Sequence, residues 1–600
     1  MIEPRDDGAY HPSQTALPAA SQVTGVPRRE KPSGKPAPAA FSWKALVHDL
    51  PKYPPITRCS ISEPVGLSFG QQRLWFVSQL GSGSVAYNVP LAWRLAGTVN
   101  VVALAGSLNE IIRRHEALRT CFCMREGQPV QVVTEQSLTL TVVDLEPIPP
   151  AARDAELQRR IDAEVQRPFD LSHDLMLRAA LFRLRQDEHL FVLTVHHIAA
   201  DGPSMGILLQ ELAQFYSGIT AGVPTEIPEP AVQCRDFTLW QKEILTNERR
   251  QKQLAYWLQQ LKGVSSALDL PADHPRPAVS FRGGNVYRQL SNQLSADLKL
   301  VGREHGVTNF MTLLAAMQVL LLRLTGQEDV VVGASMTNRS GEAISRSMGY
   351  FSNMMALRTA LHGDPTFGEL LKRVRTVVLG AYAYPDLPFE EIVAELRPKR
   401  APGRNPVFQV ILNAEHASWH ELQLVGVEAT ESPVHNGAAR FDLNLSVIDH
   451  PEGFRLALEY NSDLFEAGTA RRMLAMYETL LAGIVAESNS RISRLPLLTE
   501  SECKQMLCGW KETVETYPVN MCVQDLVEEQ VRRAPESIAI EFDEERLSTA
   551  SSTRAPTGWQ PTWQNGVWAR KCSSESVWNR PLPWWSRCWR SLRREALTFR

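Results

Sequence analysis

The chain has 600 residues, 44% of them hydrophobic, enough to bury a large core and long enough for several structural units. Its 63 basic and 66 acidic residues nearly cancel to a net charge of −3, which argues against a nucleic-acid footprint or an electrostatic funnel for acidic substrates. Nine scattered cysteines without a CxxC pair argue against a metal site or disulfide framework and fit a reducing cytosol. No basic start followed by an apolar run marks a signal peptide. The longest apolar stretch, Met311 to Leu324, is interrupted by Gln318 and Arg323 and is too short to cross a bilayer. The expectation is a cytoplasmic protein with neither membrane nor nucleic acid as partner.

Residues 1–60 are rich in Pro, Ala, Ser and charge without sustained periodicity, and are expected to be a disordered leader. Within it, Trp43 to Leu50 has a short helical pattern. From Leu67 a folded body is expected: a helix over Gln71–Leu80, a strand around Ala92, and a helix over Leu104–Arg114. Strands near Gln131–Val133 and Leu138–Val143, a helix over Ala155–Gln166 and a strand over Arg178–Arg185 follow.

The stretch from His189 to Leu212, HLFVLTVHHIAADGPSMGILLQEL, is the centre of the chain. Phe191 to Val195 reads as a strand buried on both faces, and Leu208, Leu212 and Phe215 read as one face of a helix. Between them lie His196, His197, Asp201 and Gly202. Successive strand residues point to opposite faces, so the two histidines cannot share a metal, and no metal is expected. A histidine with its ordinary pKa near 6.5 supplies a neutral imidazole for proton transfer. Asp201 also fits a helix N-cap, and Gly202 a tight turn.

The Pro-rich run Ala221–Pro230 marks a boundary. Beyond it the periodicity gives helices over Gln251–Leu261, Ser295–Arg303 and Met311–Leu324, then a strand over Val330–Gly333. Helices over Phe367–Leu379 and Phe389–Leu396, strands near Phe408–Leu412, Phe441–Val447 and Phe454–Tyr460, and a helix over Ala470–Ala486 complete the pattern. The mixture of strands and helices predicts an α/β (α+β) class, with helices packed on mixed sheets.

HHIAADG fits the HHxxxDG signature of nonribosomal peptide synthetase condensation domains, which share the chloramphenicol-acetyltransferase-like fold. LSFGQQRLWFVSQL (67–80), RRHEALRTCF (113–122), CRDFTLWQ (234–241), MGYFSNMMALR (348–358), YPDLPFEEIV (384–393) and GRNPVFQVIL (403–412) resemble the flanking motifs in the family's order. The resemblance implies two lobes in a V, residues 65–230 and 231–490, around a channel. It implies an acyltransferase of secondary metabolite biosynthesis that forms an amide between donor and acceptor thioesters. Those are borne on the phosphopantetheine arms of peptidyl carrier proteins, with other synthetase modules as partners and no cofactor bound by this chain.

By the same resemblance His197 contacts the attacking amine, as general base or by positioning it, and His196 supports the loop. Arg119 or Arg114 is expected to pair with Asp201, making the aspartate a scaffold. Trp240 belongs either to the channel or to the core, and Asn338 and Arg339 match a segment used where the lobes touch. Backbone amides near Gly202 are candidates for the oxyanion, and Asp442 and Asn444 are supporting residues. Pro203 stands where the family often has tryptophan. YNVP (87–90) and MGIL (205–208) look most like domains taking L-configured or fatty-acyl donors.

Residues 491–547 are expected to be a linker and the opening of an adenylation domain, through the resemblance of Tyr517 to Leu547. From Ser548 to Arg600 the character changes: seven of the 14 tryptophans fall there and basic residues far outnumber acidic ones. Because the Trp codon is TGG, such a tail is expected from a shifted reading frame, without adenylation activity. The alternatives are a freestanding HHxxxDG acyltransferase, or a truncated, non-catalytic synthetase remnant.

Overall fold

The computed structural model describes residues 53–60, 64–79, 84–264, 267–339, 341–399, 401–509, 523–542 and 545–554. The pattern at Trp43–Leu50 and the tail from residue 555 lie outside the described residues. Contacts divide the chain into two units, 1–499 and 500–600. The larger unit contains two lobes, each a mixed sheet with packed helices.

The first lobe begins with β1 (Val65–Gly66) and β2 (Asn88–Gly97), then β3 (Thr120–Arg125), β4 (Gln128–Val133), β5 (Thr141–Asp144), β6 (Leu177–Arg185) and β7 (Glu188–His196). Strands β1, β4 and β3 form a small sheet. β7 is the middle strand of the main five-stranded sheet and pairs antiparallel with both β2 and β6. Its apolar run alternates: Phe191, Leu193 and Val195 pack with the helices Val101–Arg114 and Gly202–Ala221, while Leu190 and Val192 face the helix Pro150–Val165. Burial on both faces explains why the run lacks polar alternation.

The second lobe contains β8 (Gly283–Gln289), β9 (Asp329–Thr337), β10 (Ser352–Ala360), β11 (Val410–His416), β12 (Val427–Glu431), β13 (Leu443–His450) and β14 (Gly453–Asn461). Its six-stranded sheet runs β10-β9-β11-β13-β14-β8, with the parallel pairs β9–β11 and β11–β13 at its centre. Helix Asn309–Thr325, the apolar stretch of the sequence, is buried beneath it. No single helix among the described residues is long and apolar enough to cross a membrane.

Three sequence expectations change. The leader does not stay disordered to residue 60: the Tyr53 ring lies 5.3 Å from Trp240, its hydroxyl donates to Asp386 at 2.6 Å, and Cys59 N–H donates to Asp236 at 2.8 Å. One aromatic with a polar tip anchors a segment whose composition reads as linker. The lobe boundary at 231 is not a core boundary either, because Cys234, Phe237, Trp240, Phe351, Leu422 and Leu424 all belong to the first lobe's apolar core. Finally, β12 leaves the second lobe and pairs antiparallel with β2, covering what would otherwise be an open sheet edge.

The smaller unit includes a helix Val523–Arg533, a hairpin of Ile538–Phe542 with Glu545–Ser548, and a short helix Thr549–Arg554.

Candidate active site

β7 ends at His196, a single 3-10 turn spans His197–Ala199, and the next helix starts at Gly202 with Asp201 as its N-cap. The abrupt reversal from strand to helix holds two adjacent imidazoles in different surroundings. His196 is buried: its Nδ1 accepts from Ile198 N–H at 3.2 Å, and its ring lies against Phe169 and Tyr87. Burial, with the neighbouring imidazole and Arg178 adding to it, pushes its pKa down to about 3.

His197 is only half-buried. Its Nδ1 lies 2.6 Å from the carbonyl of Ala200, which accepts only if Nδ1 carries the hydrogen. That assigns the tautomer and leaves Nε2 with a free lone pair. Burial, and then the positive charge of Arg440, push the His197 pKa down to about 4, against the opposing pull of the Ala200 bond. The imidazole is therefore neutral at pH 7. The Tyr350 ring meets it nearly at right angles, centroids 5.1 Å apart.

Asp201 is buried and saturated. Oδ1 accepts from Ser204 N–H at 3.1 Å, from Ser204 Oγ at 2.7 Å and from Arg339 at 2.7 Å, and Oδ2 accepts from Ser352 Oγ at 3.4 Å. Arg339 also donates to the carbonyls of Ile344 and Ser347 and lies over the Phe351 ring. With its oxygens engaged by hydrogen-bond donors and a cation, this carboxylate ties the start of the helix to the segment that carries Arg339.

The expected pairing of Arg119 or Arg114 with Asp201 is not found. Arg114 instead forms a buried pair with Glu211 at 3.1 Å, shared with His115 at 2.9 Å. Glu211 lies ten residues along the helix from Asp201, about 15 Å by helical rise. Arg119 donates to Thr134 O at 2.7 Å and reaches exposed Glu135. At the interlobe segment the functional contact falls on the second residue of the pair: Asn338 offers its backbone N–H to Phe351 O at 3.3 Å, while Arg339 beside it reaches Asp201.

Trp240 sits in the first lobe's core with its indole N–H on Pro54 O at 2.8 Å. Asp442 is paired with Arg276, and Asn444 accepts from Asn413, so both are structural. Gly202 serves close approach and not a special turn: a Cβ there would fall 2.6 Å from the Trp419 ring, and one on Gly206 2.8 Å from it. Of the first-turn amides, Pro203 has none and Ser204's is taken by Asp201, leaving Gly202's own N–H.

Sequence reasoning missed Tyr350, Arg73, Arg440 and Trp419 at the site. The one available signal for Trp419 was the pair Gly202 and Gly206, four apart and thus on one helix face. Among the described residues no group of three His, Cys, Asp or Glu side chains is arranged to hold a metal ion.

A family model described as "Condensation domain" matches residues 61–507. One of the linear gramicidin synthase proteins of Brevibacillus parabrevis is 38% identical over 505 residues, covering 84% of this chain and 10% of that protein. Chondramide synthase cmdD of Chondromyces crocatus is 39% identical over 484 residues, 80% of this chain and 12% of that one. The chain thus spans about a tenth of the length of these relatives. Among solved structures, the X-domain from teicoplanin biosynthesis in complex with OxyB superposes with TM-score 0.66 at 28% identity, covering 75% of this chain and 100% of that one. The first condensation domain of the calcium-dependent antibiotic synthetase, with a substrate analogue bound, shares the fold at TM-score 0.62 and 22% identity, covering 73% of this chain and 100% of that one.

Proposed function

Because this chain belongs to the condensation-domain family of the nonribosomal peptide synthetases, we propose that it joins a donor acyl or peptidyl thioester to the α-amine of an aminoacyl thioester, forming an amide. Both substrates are proposed to arrive on the phosphopantetheine arms of carrier proteins. Holding them in one site makes the reaction effectively intramolecular, the largest available contribution to rate.

The observation that carries this reading is the partly exposed, neutral His197 with Nδ1 tied to Ala200 and Nε2 free. The acceptor nitrogen attacks the donor carbonyl, and the C–N bond forms as the carbonyl oxygen becomes an oxyanion. Nε2 accepts the proton that the nitrogen must shed. Collapse breaks the C–S bond, and the thiolate takes that proton to leave as thiol. A positioned base of this kind contributes roughly 10²–10⁴-fold in rate. The Gly202 N–H at the helix start is the nearby donor suited to the oxyanion.

The test uses separately loaded donor and acceptor carriers, with amide product followed by mass spectrometry for the wild type and His197→Ala. The expected result is product from the wild type and a loss of roughly 10²-fold or more in the variant. Equal rates remove His197 from the mechanism.

A further inference from the structure

Tyr350 lies just before β10, where the lobes meet, and is only 5% exposed. Its ring stands at 82° to the His197 imidazole, 5.1 Å away. It also presses on the backbone of the helix Phe69–Gln79, so closely that a Cβ on Gly70 would fall 2.4 Å from it. Its hydroxyl accepts from Arg73 at 3.0 Å, and Arg73 is held in turn by Glu390 at 3.1 Å. The preceding peptide is fixed as well, since Gly349 N–H donates to Ser204 Oγ at 3.2 Å, within the Asp201 network. The ring cannot swing aside without breaking its contacts to His197, Gly70 and Arg73 of the first lobe.

Tyr350 also forms a wall of a cavity of about 20 Å³ lined by Phe69, Arg73, Gln241, Ser352, Met354 and Glu390. That is room for a single water and no more. The attacking nitrogen at His197 is one bond, about 1.5 Å, from the acceptor's Cα. The acceptor's side chain therefore leaves the reacting centre beside the imidazole, where the Tyr350 ring stands. The donor's side chain starts one bond further away, beyond its carbonyl carbon.

We infer that Tyr350 is a specificity-determining residue: it bars the acceptor's side chain from the cavity at the lobe seam and so limits the size of amino acid that can be acylated. The inference rests on the amide-forming reading. Shortening the side chain joins the cavity to the space beside His197 and admits a larger acceptor.

The test gives the full chain a donor carrier bearing N-acetylglycyl thioester and an equal mixture of acceptor carriers loaded with glycine and with tryptophan. The ratio of the two amides is read by mass spectrometry. Tyr350→Ala is expected to shift the ratio toward tryptophan by about 10-fold or more, the scale on which a pocket discriminates by size. Tyr350→Phe keeps the ring and is expected to stay within about 3-fold of wild type. Should Tyr350→Ala fail to fold, Tyr350→Leu is read by the same ratio. An unchanged ratio in a folded small-residue variant overturns the inference and leaves the amide-forming reading standing. No amide from the wild type with either acceptor overturns the amide-forming reading, and this inference with it.

Discussion

Arg440 and His197 lie far apart in the chain, yet the arginine's charge is the second largest cause, after burial, of the imidazole's lowered pKa. The sign follows directly: a base held near pKa 4 stays unprotonated as pH falls from 7 and is lost only as pH approaches 4. Arg440→Gln removes the cation, raises the imidazole pKa and moves the acid limb of the kcat/KM profile to higher pH. A limb that stays in place shows that Arg440 does not act on His197. For Asp201, Arg339→Ala strands a buried carboxylate and is expected to cost about 3–5 kcal/mol, measured by urea denaturation. Arg119→Ala, whose acidic partner Glu135 is exposed, is expected to cost no more than about 1 kcal/mol. Equal effects of the two substitutions contradict the pairing seen here. The HHxxxDG spacing names the histidines and the aspartate, but a salt-bridge partner 138 residues away leaves no mark in local periodicity.

At the level of elements, the strand β7 and the helix Gly202–Ala221 were legible because each buries a run of apolar residues with its own period. The strand β12 was not. Its exposure alternates between intermediate and exposed along Val427–Glu431, with only Val427 and Ala429 packing against the first lobe's core, and it is ordered chiefly because it completes the hydrogen bonds of β2. The short turn Ala417–Trp419 just before it places Trp419 on the helix at Gly202 and Gly206. Gly206→Ala adds a methyl where 2.8 Å is available, and is expected to destabilise by about 1–3 kcal/mol. In a Trp419→Ala background the same substitution is expected to cost almost nothing. A double-mutant cycle by chemical denaturation measures the coupling, and additive effects place the indole elsewhere.

For the molecule as a whole, the two lobes are not independent. Residues from beyond the boundary at 231 complete the first lobe's core, and β12 closes its sheet. A fragment of residues 65–230 alone exposes the apolar surface that Phe237, Trp240, Phe351 and Leu422 cover, along with the free edge of β2. It is expected to unfold without cooperativity or to aggregate, as read by calorimetry and light scattering. A sharp thermal transition with a monomeric fragment contradicts the shared core. Interlobe contacts of this kind also hold the site together, since Asp201 and His197 come from one lobe and Arg339, Tyr350 and Arg440 from the segments that follow it.

The sequence by itself determined the α/β class, most of the strands and helices, and the identity of the two histidines and the aspartate at the junction of β7 and its helix. Those features depend on short-range spacing: two-residue and 3.6-residue apolar periods, and a motif contained in seven residues. Only the tertiary structure decided that Arg339 and not Arg114 or Arg119 holds Asp201, that His197 is partly exposed while His196 is enclosed, and that Tyr350 and Trp419 stand at the site. Such pairings depend on where distant segments meet, and burial and charge act through space without regard to distance along the chain.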